Sequence, residues 1–321
     1  MSPRSLFYDL PNDLIRYIIS FCSNTPESVE VYQEALTDEK KDALSISSII
    51  DFGGVDCVDS NYFELSENLH LIGPRTRVVH LQHDLDTSLL LDKKLRLHIV
   101  KMCPNIEVFY DDYGMFSDEE CIGIVRSFPL LSKMFVYCRE KMTDASLIEM
   151  GNKSKNLKSL VLLAEDDSKV SDVGLTAVLH GCSKIEILAI CDYSHDHFTD
   201  ESYRVISRLS SLQKLNLTSP VVSSETLIQI ASGCKNLKNL KVRSDALSNE
   251  AFIEVGRLCP EITFLELPWS ISPLEVIPAF PNLQKISCFE EIEEDDDPYN
   301  RNRMLKKSIW ELYPNVEVVF W

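Results

Sequence analysis

Two pairs of histidines come closest, by residue type and spacing, to a metal site. They are His80 with His83, and His195 with His197 across Asp196. A zinc site needs three protein ligands when it is catalytic and four when it is structural. Neither pair has a third or fourth ligand close by in the sequence. We therefore expect both pairs to lie in solvated loops or at strand ends, and we predict no metal site.

The sequence contains none of the short motifs that mark nucleotide binding or hydrolytic catalysis. We find no G-x-x-x-x-G-K-[ST], G-x-G-x-x-G, H-E-x-x-H, C-x-x-C or G-x-S-x-G. These motifs bring together the phosphate-binding backbone, the metal ligands or the nucleophile that the chemistry requires. We therefore expect a protein that is not an enzyme, has no catalytic residues and carries no cofactor.

The composition limits the classes of partner. The 321 residues carry a net charge of −18, and seven of the 50 acidic residues lie in the run 290–297. This charge argues against binding nucleic acid or anionic membranes, because phosphate contacts need basic surface. The first residues lack an apolar signal core, and no stretch approaches 18 apolar residues. We expect no membrane span, reduced cysteines, and a location in the cytoplasm, the nucleus or both.

A nine-residue pattern, C-x-x-L-x-x-L-x-L with apolar substitutes, repeats along most of the chain. Its first residue, which we call the anchor, recurs every 25 to 28 residues from Cys103 to Cys259. The last two apolar positions are two apart, which is the period of a strand with one buried face. Anchors stand at residues 103, 128, 154, 182, 209, 234, 259, 280 and 313, and less clearly at 73.

Each predicted strand is followed by a polar residue of a type that begins helices, and then by a helical pattern. These predicted N-cap residues are Ser117, Thr143, Ser171, Thr199, Ser223 and Ser248. One strand and one helix cannot bury both of their apolar faces alone. Stacking such units side by side buries them in one continuous core.

Cysteine occupies the anchor in four repeats: Cys103, Cys182, Cys234 and Cys259. Paired cysteines can bind a metal, but here they recur singly, one for each repeat. The alternative is that each is a small buried hydrophobic residue at the end of its helix. We favour this structural interpretation.

Together, the period, the apolar pattern and the caps resemble the cysteine-containing subclass of leucine-rich repeats. The resemblance covers about residues 74–321 and implies an α/β fold, a right-handed solenoid with a parallel inner sheet. In that family the strands line a concave face and the helices form the convex back. We assign 73–321 to this domain, with 290–302 as an acidic insertion loop that is either solvated or used in an interaction.

Residues 9–22 (DLPNDLIRYIISFC) predict an N-terminal helix with one broad apolar face. This stretch resembles the opening of an F-box, which implies docking on a Skp-type adaptor and, through it, on a cullin. The implied adaptor-binding residues are Leu10, Pro11, Leu14, Ile15, Ile18 and Ile19. The alternative is a helix that caps the first repeat. We predict an F-box-like helical domain over 1–54, with 27–52 helical, and a junction over 55–72.

The resemblance predicts a substrate-recognition subunit of an SCF-type ubiquitin ligase, which holds its target protein on the concave face. The alternative is a leucine-rich-repeat scaffold without any link to ubiquitin. On the predicted face, the fifth and seventh residues after each anchor include four lysines and one acid, Glu266. An apolar part would anchor a peptide and a basic part would hold acidic or phosphorylated side chains, although the lysines could equally just solvate the sheet. The predicted target-binding residues are Tyr110, Phe135, Tyr137, Val161, Leu163, Lys214, Lys241, Arg243 and Lys285.

Overall fold

The computed structural model describes residues 49–51, 77–81, 101, 103–111, 116–192, 197–288 and 307–320. The chain divides into two compact units, Met1–Tyr137 and Cys138–Trp321. Three predicted features lie outside the described residues: the adaptor-binding helix at 9–22, the junction at 55–72 and the acidic loop at 290–302. The predicted domain boundary at residue 54 lies outside them as well.

In the first unit, parallel strands pair in the order in which they follow one another in the chain. The elements are β1 (Ile49–Asp51), β2 (Val78–Leu81), β3 (Val108–Asp111), α1 (Asp118–Ser127) and β4 (Lys133–Cys138). The prediction that 27–52 is helical is wrong at its end, because β1 pairs with β2 with Ile49 opposite Val78. Two adjacent isoleucines favour a strand. The sheet therefore begins before residue 73.

In the second unit the same alternation of strand and helix continues, again with parallel neighbours in chain order. The strands are β5 (Ser159–Ala164), β6 (Ile187–Asp192), β7 (Lys214–Thr218), β8 (Asn239–Arg243), β9 (Phe264–Leu267), β10 (Lys285–Cys288) and β11 (Glu317–Phe320). The α-helices are α2 (Asp144–Lys153), α3 (Asp172–Gly181), α4 (Asp200–Arg204), α5 (Ser224–Gly233), α6 (Asn249–Leu258) and α7 (Pro273–Val276). Short 3₁₀ helices extend α4 and α7 over Val205–Arg208 and Ile277–Ala279. Residues 307–312 are also helical.

The predicted apolar ladder forms the core of the second unit. Along β5 the side chains alternate, with Leu160 and Leu162 fully buried and Val161 and Leu163 only half-buried. The equivalent leucines of β7, Leu215 among them, are also buried. Each such side chain contributes about 1.5–3 kcal/mol by leaving water. The alternation confirms that in β5 and β7 the sixth and eighth residues after the anchor point into the core.

The predicted caps are all correct: Ser117, Thr143, Ser171, Thr199, Ser223 and Ser248 each stand immediately before a helix. At α1, Glu120 completes a capping box, since its carboxylate accepts hydrogen bonds from the Ser117 backbone N–H at 3.0 Å and from the Ser117 hydroxyl at 2.8 Å. Such caps satisfy backbone N–H groups that the first turn of a helix leaves without a partner.

In three repeats the aspartate after the cap ties the repeat to the next one. The Asp144 carboxylate accepts hydrogen bonds from the backbone N–H of Ser171 at 2.7 Å, from the Ser171 hydroxyl at 2.6 Å and from the Gly174 N–H at 3.0 Å. Asp172 and Asp200 hold the next N-cap residues, Thr199 and Ser223, through the same pair of groups. These three aspartates therefore form a ladder along the starts of the helices.

The anchor cysteines are structural, as predicted. Cys182, Cys234 and Cys259 are fully buried C-cap residues of α3, α5 and α6. Their thiols donate to backbone carbonyls of the preceding repeat, for example from Cys234 Sγ to the carbonyl of Ile206 at 3.3 Å. Burial raises the pKa of Cys182 to about 11 and that of Cys234 to about 12, so both thiols are protonated near neutral pH.

The last repeat departs from the predicted register by one residue. Tyr313 ends the preceding helix as an anchor should, since its N–H donates to the carbonyl of Ile309 at 2.7 Å. However, Lys285 of β10 stands opposite Glu317 and not opposite Val318, which is buried. The segment between anchor and strand is therefore one residue shorter here. Because side chains alternate along a strand, this shift exchanges the two faces of β11.

Candidate functional site

The candidate site is the open face of the second unit's sheet, which we define as the side chains of β5 to β11 that point away from the buried ladder. Up to β10 these stand five and seven residues after each anchor, and Arg243, nine residues after Cys234, continues the face on β8. Four predicted basic residues lie on this face: Lys214 on β7, Lys241 and Arg243 on β8, and Lys285 on β10. Lys214 and Arg243 are exposed, and Lys241 and Lys285 are partly exposed. The structure thus displays all four at the surface.

Lys241 and Arg243 share one buried acid, Glu266 on β9. Lys241 Nζ lies 2.9 Å from Glu266 Oε2, and Arg243 Nη2 lies 3.0 Å from Oε1. Lys241 also sits over the ring of Phe264, 5.4 Å from its centroid. Only 4% of the Glu266 side chain is exposed, against 41% and 49% for its two cationic partners. Glu266, seven residues after the anchor Cys259, is therefore covered by its neighbours. The alternation alone predicted that its side chain would be open to solvent.

The shifted register of β11 adds a second acid to the open face. Glu317 lies beside Lys285, and their side chains form an ion pair with Lys285 Nζ 2.8 Å from Glu317 Oε1. The sequence pattern placed Val318 on this face, so it counted one acid too few. Two of the four basic residues therefore share one acid, and a third has its own.

The predicted apolar part of the face is divided between the two units. Phe135 and Tyr137 of β4 are half-buried in the first unit, and Val161 and Leu163 of β5 are half-buried in the second. Tyr110 lies in β3 with its backbone opposite Phe135, but its side chain lies outside the described residues. The predicted adaptor-binding residues Leu10, Pro11, Leu14, Ile15, Ile18 and Ile19 also lie outside them.

One histidine is mostly covered where the sequence predicts a solvated loop. Only 9% of the His197 side chain is exposed, and its Nδ1 lies 2.9 Å from Asp192 Oδ1 at the end of β6. Its Nε2 lies 3.2 Å from the carbonyl oxygen of Ser168, which can only accept a hydrogen bond. Asp192 is fully buried and also accepts from the Phe198 N–H at 3.3 Å. The prediction is therefore wrong for His197, which holds two loops together.

Six large apolar side chains among the described residues are exposed although the sequence analysis did not single them out: Leu130, Ile148, Val173, Trp269, Trp310 and Leu312. Only their exposure in the fold distinguishes them from core residues. Among the described residues, no group of three or more possible ligands is placed to hold a metal ion. In the same part of the chain, no helix is both long and apolar enough to cross a membrane.

Comparison with solved structures identifies the fold. A chain of the yeast complex of Rad7 and Elc1 superposes with a TM-score of 0.53 at 14% identity, over 79% of this chain and 71% of that one. The fold is that of a leucine-rich-repeat protein. The leucine-rich-repeat-containing protein LegL7 from Legionella pneumophila gives a TM-score of 0.47 at 12% identity, over 79% of this chain and 85% of LegL7. A complex of TLR13 with ssRNA13 gives 0.43 at 16%, over 70% and 34% of the respective chains. No family model and no curated protein matches the sequence.

Proposed function

We propose that this protein is the substrate-recognition subunit of an SCF-type ubiquitin ligase. In this role the segment 9–22 binds a Skp-type adaptor, and through it a cullin, while the open face of the repeats binds the target protein. The target-binding part of this proposal rests on the open face, where exposed cations stand on parallel strands fixed by a leucine-rich-repeat core. The adaptor-binding part rests on the sequence resemblance of 9–22 to an F-box.

Such a subunit needs no catalytic residue, no cofactor and no metal of its own. Holding a target beside a charged ubiquitin raises the effective concentration of its lysines, and this proximity is the contribution to rate. The buried, protonated cysteines and the exposed ion pairs of the open face are consistent with a binding protein. The work of such a ligase would take place in the cytoplasm or the nucleus.

One observation favours the alternative, a repeat scaffold with 9–22 as its cap. Strand β1 extends the sheet to residue 49, so less of the chain is left for a separate helical domain than predicted. A cap would cover the apolar edge of the first repeat, which every solenoid needs. The scaffold would bind proteins through the same open face but would recruit no ligase.

A pull-down with a Skp-type adaptor separates the two functions. The proposal expects wild type to bind the adaptor and Leu10→Ala with Pro11→Ala to lose binding, with an unchanged thermal melt. The matched control is Leu130→Ala with Pro129→Ala, an exposed pair of the same residue types. If wild type binds no adaptor and the Leu10, Pro11 variant unfolds at lower temperature, the helix is a cap and the ligase function is excluded.

A further inference from the structure

Three cations lie on two neighbouring strands of the open face. Lys241 and Arg243 lie two residues apart on β8, where the backbone of Lys241 is opposite Asn216 and that of Arg243 is opposite Thr218. Lys214 lies one strand away and two residues back from Lys241, which places their Cα atoms about 8 Å apart. Lysine side chains are long enough to bring both ammonium groups to one ligand between the strands.

Glu266 fixes two of these cations in place. Its two carboxylate oxygens hold Lys241 and Arg243 separately, and its burial restricts their movement. A group that is already positioned loses less entropy when it binds a ligand. Lys214, by contrast, is exposed and has no ion-pair partner among the residues that the structure describes. The cluster therefore combines a fixed pair of cations with a movable third.

The charge of this cluster suits one compact dianion. Three cations and Glu266 leave a net charge of about +2, and a phosphoserine or phosphothreonine carries about −1.5 to −2 at pH 7. A single carboxylate carries only one negative charge, as Glu266 does, so it would leave part of the cluster's positive charge without a partner. A segment with many acidic residues would be repelled by a chain whose net charge is −18. Lys285 is separate, because Glu317 neutralises it.

We propose that Lys214, Lys241 and Arg243 form a binding site for a phosphorylated serine or threonine in a partner protein. The site deepens the proposed function, since it rests on the open face as the target surface, but it requires neither the adaptor nor ubiquitin. Phosphorylation of the partner would then decide whether it is bound. Three donors on two strands can contact the three phosphoryl oxygens together through charge-assisted hydrogen bonds.

The test uses the full chain and immobilised decapeptide libraries with degenerate flanks around a fixed central residue. That residue is phosphoserine, serine or glutamate, and bound protein is measured at about 0.15 M salt, where screening acts beyond about 8 Å. The variant is Lys214→Glu with Lys241→Glu. The control is Lys153→Glu with Lys184→Glu, which makes the same charge change at exposed positions away from the open face. Circular dichroism confirms that both variants are folded.

We expect at least about tenfold more wild-type protein on the phosphoserine library than on the serine or glutamate libraries. We also expect the Lys214, Lys241 variant to lose this preference and the control to keep it. The proposal is overturned by equal binding to the three libraries, by equal binding to phosphoserine and glutamate, or by loss of binding in the control. The adaptor pull-down is independent, so failure here leaves the ligase function standing, and failure there leaves the phosphate site standing.

Discussion

Asp144 is the residue whose removal tests the aspartate ladder most directly. It lies at the start of α2, and its carboxylate accepts three hydrogen bonds from the start of α3, two from Ser171 and one from the Gly174 N–H. In Asp144→Ala these three donors lose their partner in the neighbouring repeat. Asp144→Asn keeps one carbonyl oxygen and loses the charge, so it should have a smaller effect of the same sign.

The magnitude follows from the number and kind of these bonds. A hydrogen bond to a charged group contributes about 1.5–3 kcal/mol when it is protected from water. Asp144 is half-buried, so water replaces part of what the alanine variant loses. We therefore expect Asp144→Ala to lower the free energy of unfolding by about 3 kcal/mol, and Asp144→Asn by about half of that. For a unit of this size, 3 kcal/mol corresponds to about 6–12 °C in melting temperature.

Urea unfolding measures the predicted loss in the free energy of unfolding. Amide hydrogen exchange measures the predicted loss of the hydrogen bonds to Asp144. Exchange should quicken at the Ser171 and Gly174 amides, which donate to Asp144. The control is Asp167→Ala, at an exposed aspartate that makes no hydrogen bond or ion pair among the described residues. If Asp144→Ala were within 0.5 kcal/mol of this control, or if exchange at those two amides were unchanged, the ladder would not hold the repeats together.

Leu215→Asp should cost several kcal/mol in urea unfolding, because it buries an unpaired charge at a position that is 1% exposed. A loss below 1 kcal/mol would contradict the core position of this ladder. Gly181→Ala should also destabilise, since its Cβ would collide with the Gly151 carbonyl of the neighbouring helix, whereas Gly123→Ala, with open space around the new Cβ, should be neutral or stabilising. Burial raises the pKa of Asp172 and Asp200, but hydrogen bonds from the next N-cap outweigh it and lower the pKa below the usual 3.8. The stability these two carboxylates contribute is therefore complete near neutral pH and lost as pH falls below about 4, so replacing both with Asn should flatten urea midpoints between pH 5 and 3.

Local chemistry made much of the fold predictable from the sequence. An N-cap such as Ser248 is recognised because its own hydroxyl accepts from a backbone N–H three residues away, at Ala251. The buried ladder is recognised because a strand alternates its faces over a few residues, as Leu160 and Leu162 do. Repetition makes the assignment more reliable, because a position that is unclear in one repeat is recognised from the same position in the others.

Contacts between repeats could not be predicted from the sequence, for a physical reason. The carboxylate of Asp172 meets Thr199, 27 residues later, and nothing local to Asp172 indicates that partner. The pairing of His197 with Ser168 likewise joins loops 29 residues apart. The sequence showed that Asp172 and Thr199 were polar residues near helix starts. It did not show that stacking the repeats would bring them within hydrogen-bonding distance.

The shift of β11 matters for function as well as for fold. With the predicted register, Lys285 would have had no acid of β11 beside it, and net positive charge would have stood on β10 as well as on β7 and β8. One residue fewer before β11 turns Glu317 toward Lys285 and pairs them at 2.8 Å. Among the described residues of the second unit's open face, the net positive charge then remains on β7 and β8, around Lys214, Lys241 and Arg243. A partner drawn by charge should therefore bind there and not along the whole sheet, which is why one phosphoryl group fits the face better than an extended acidic segment.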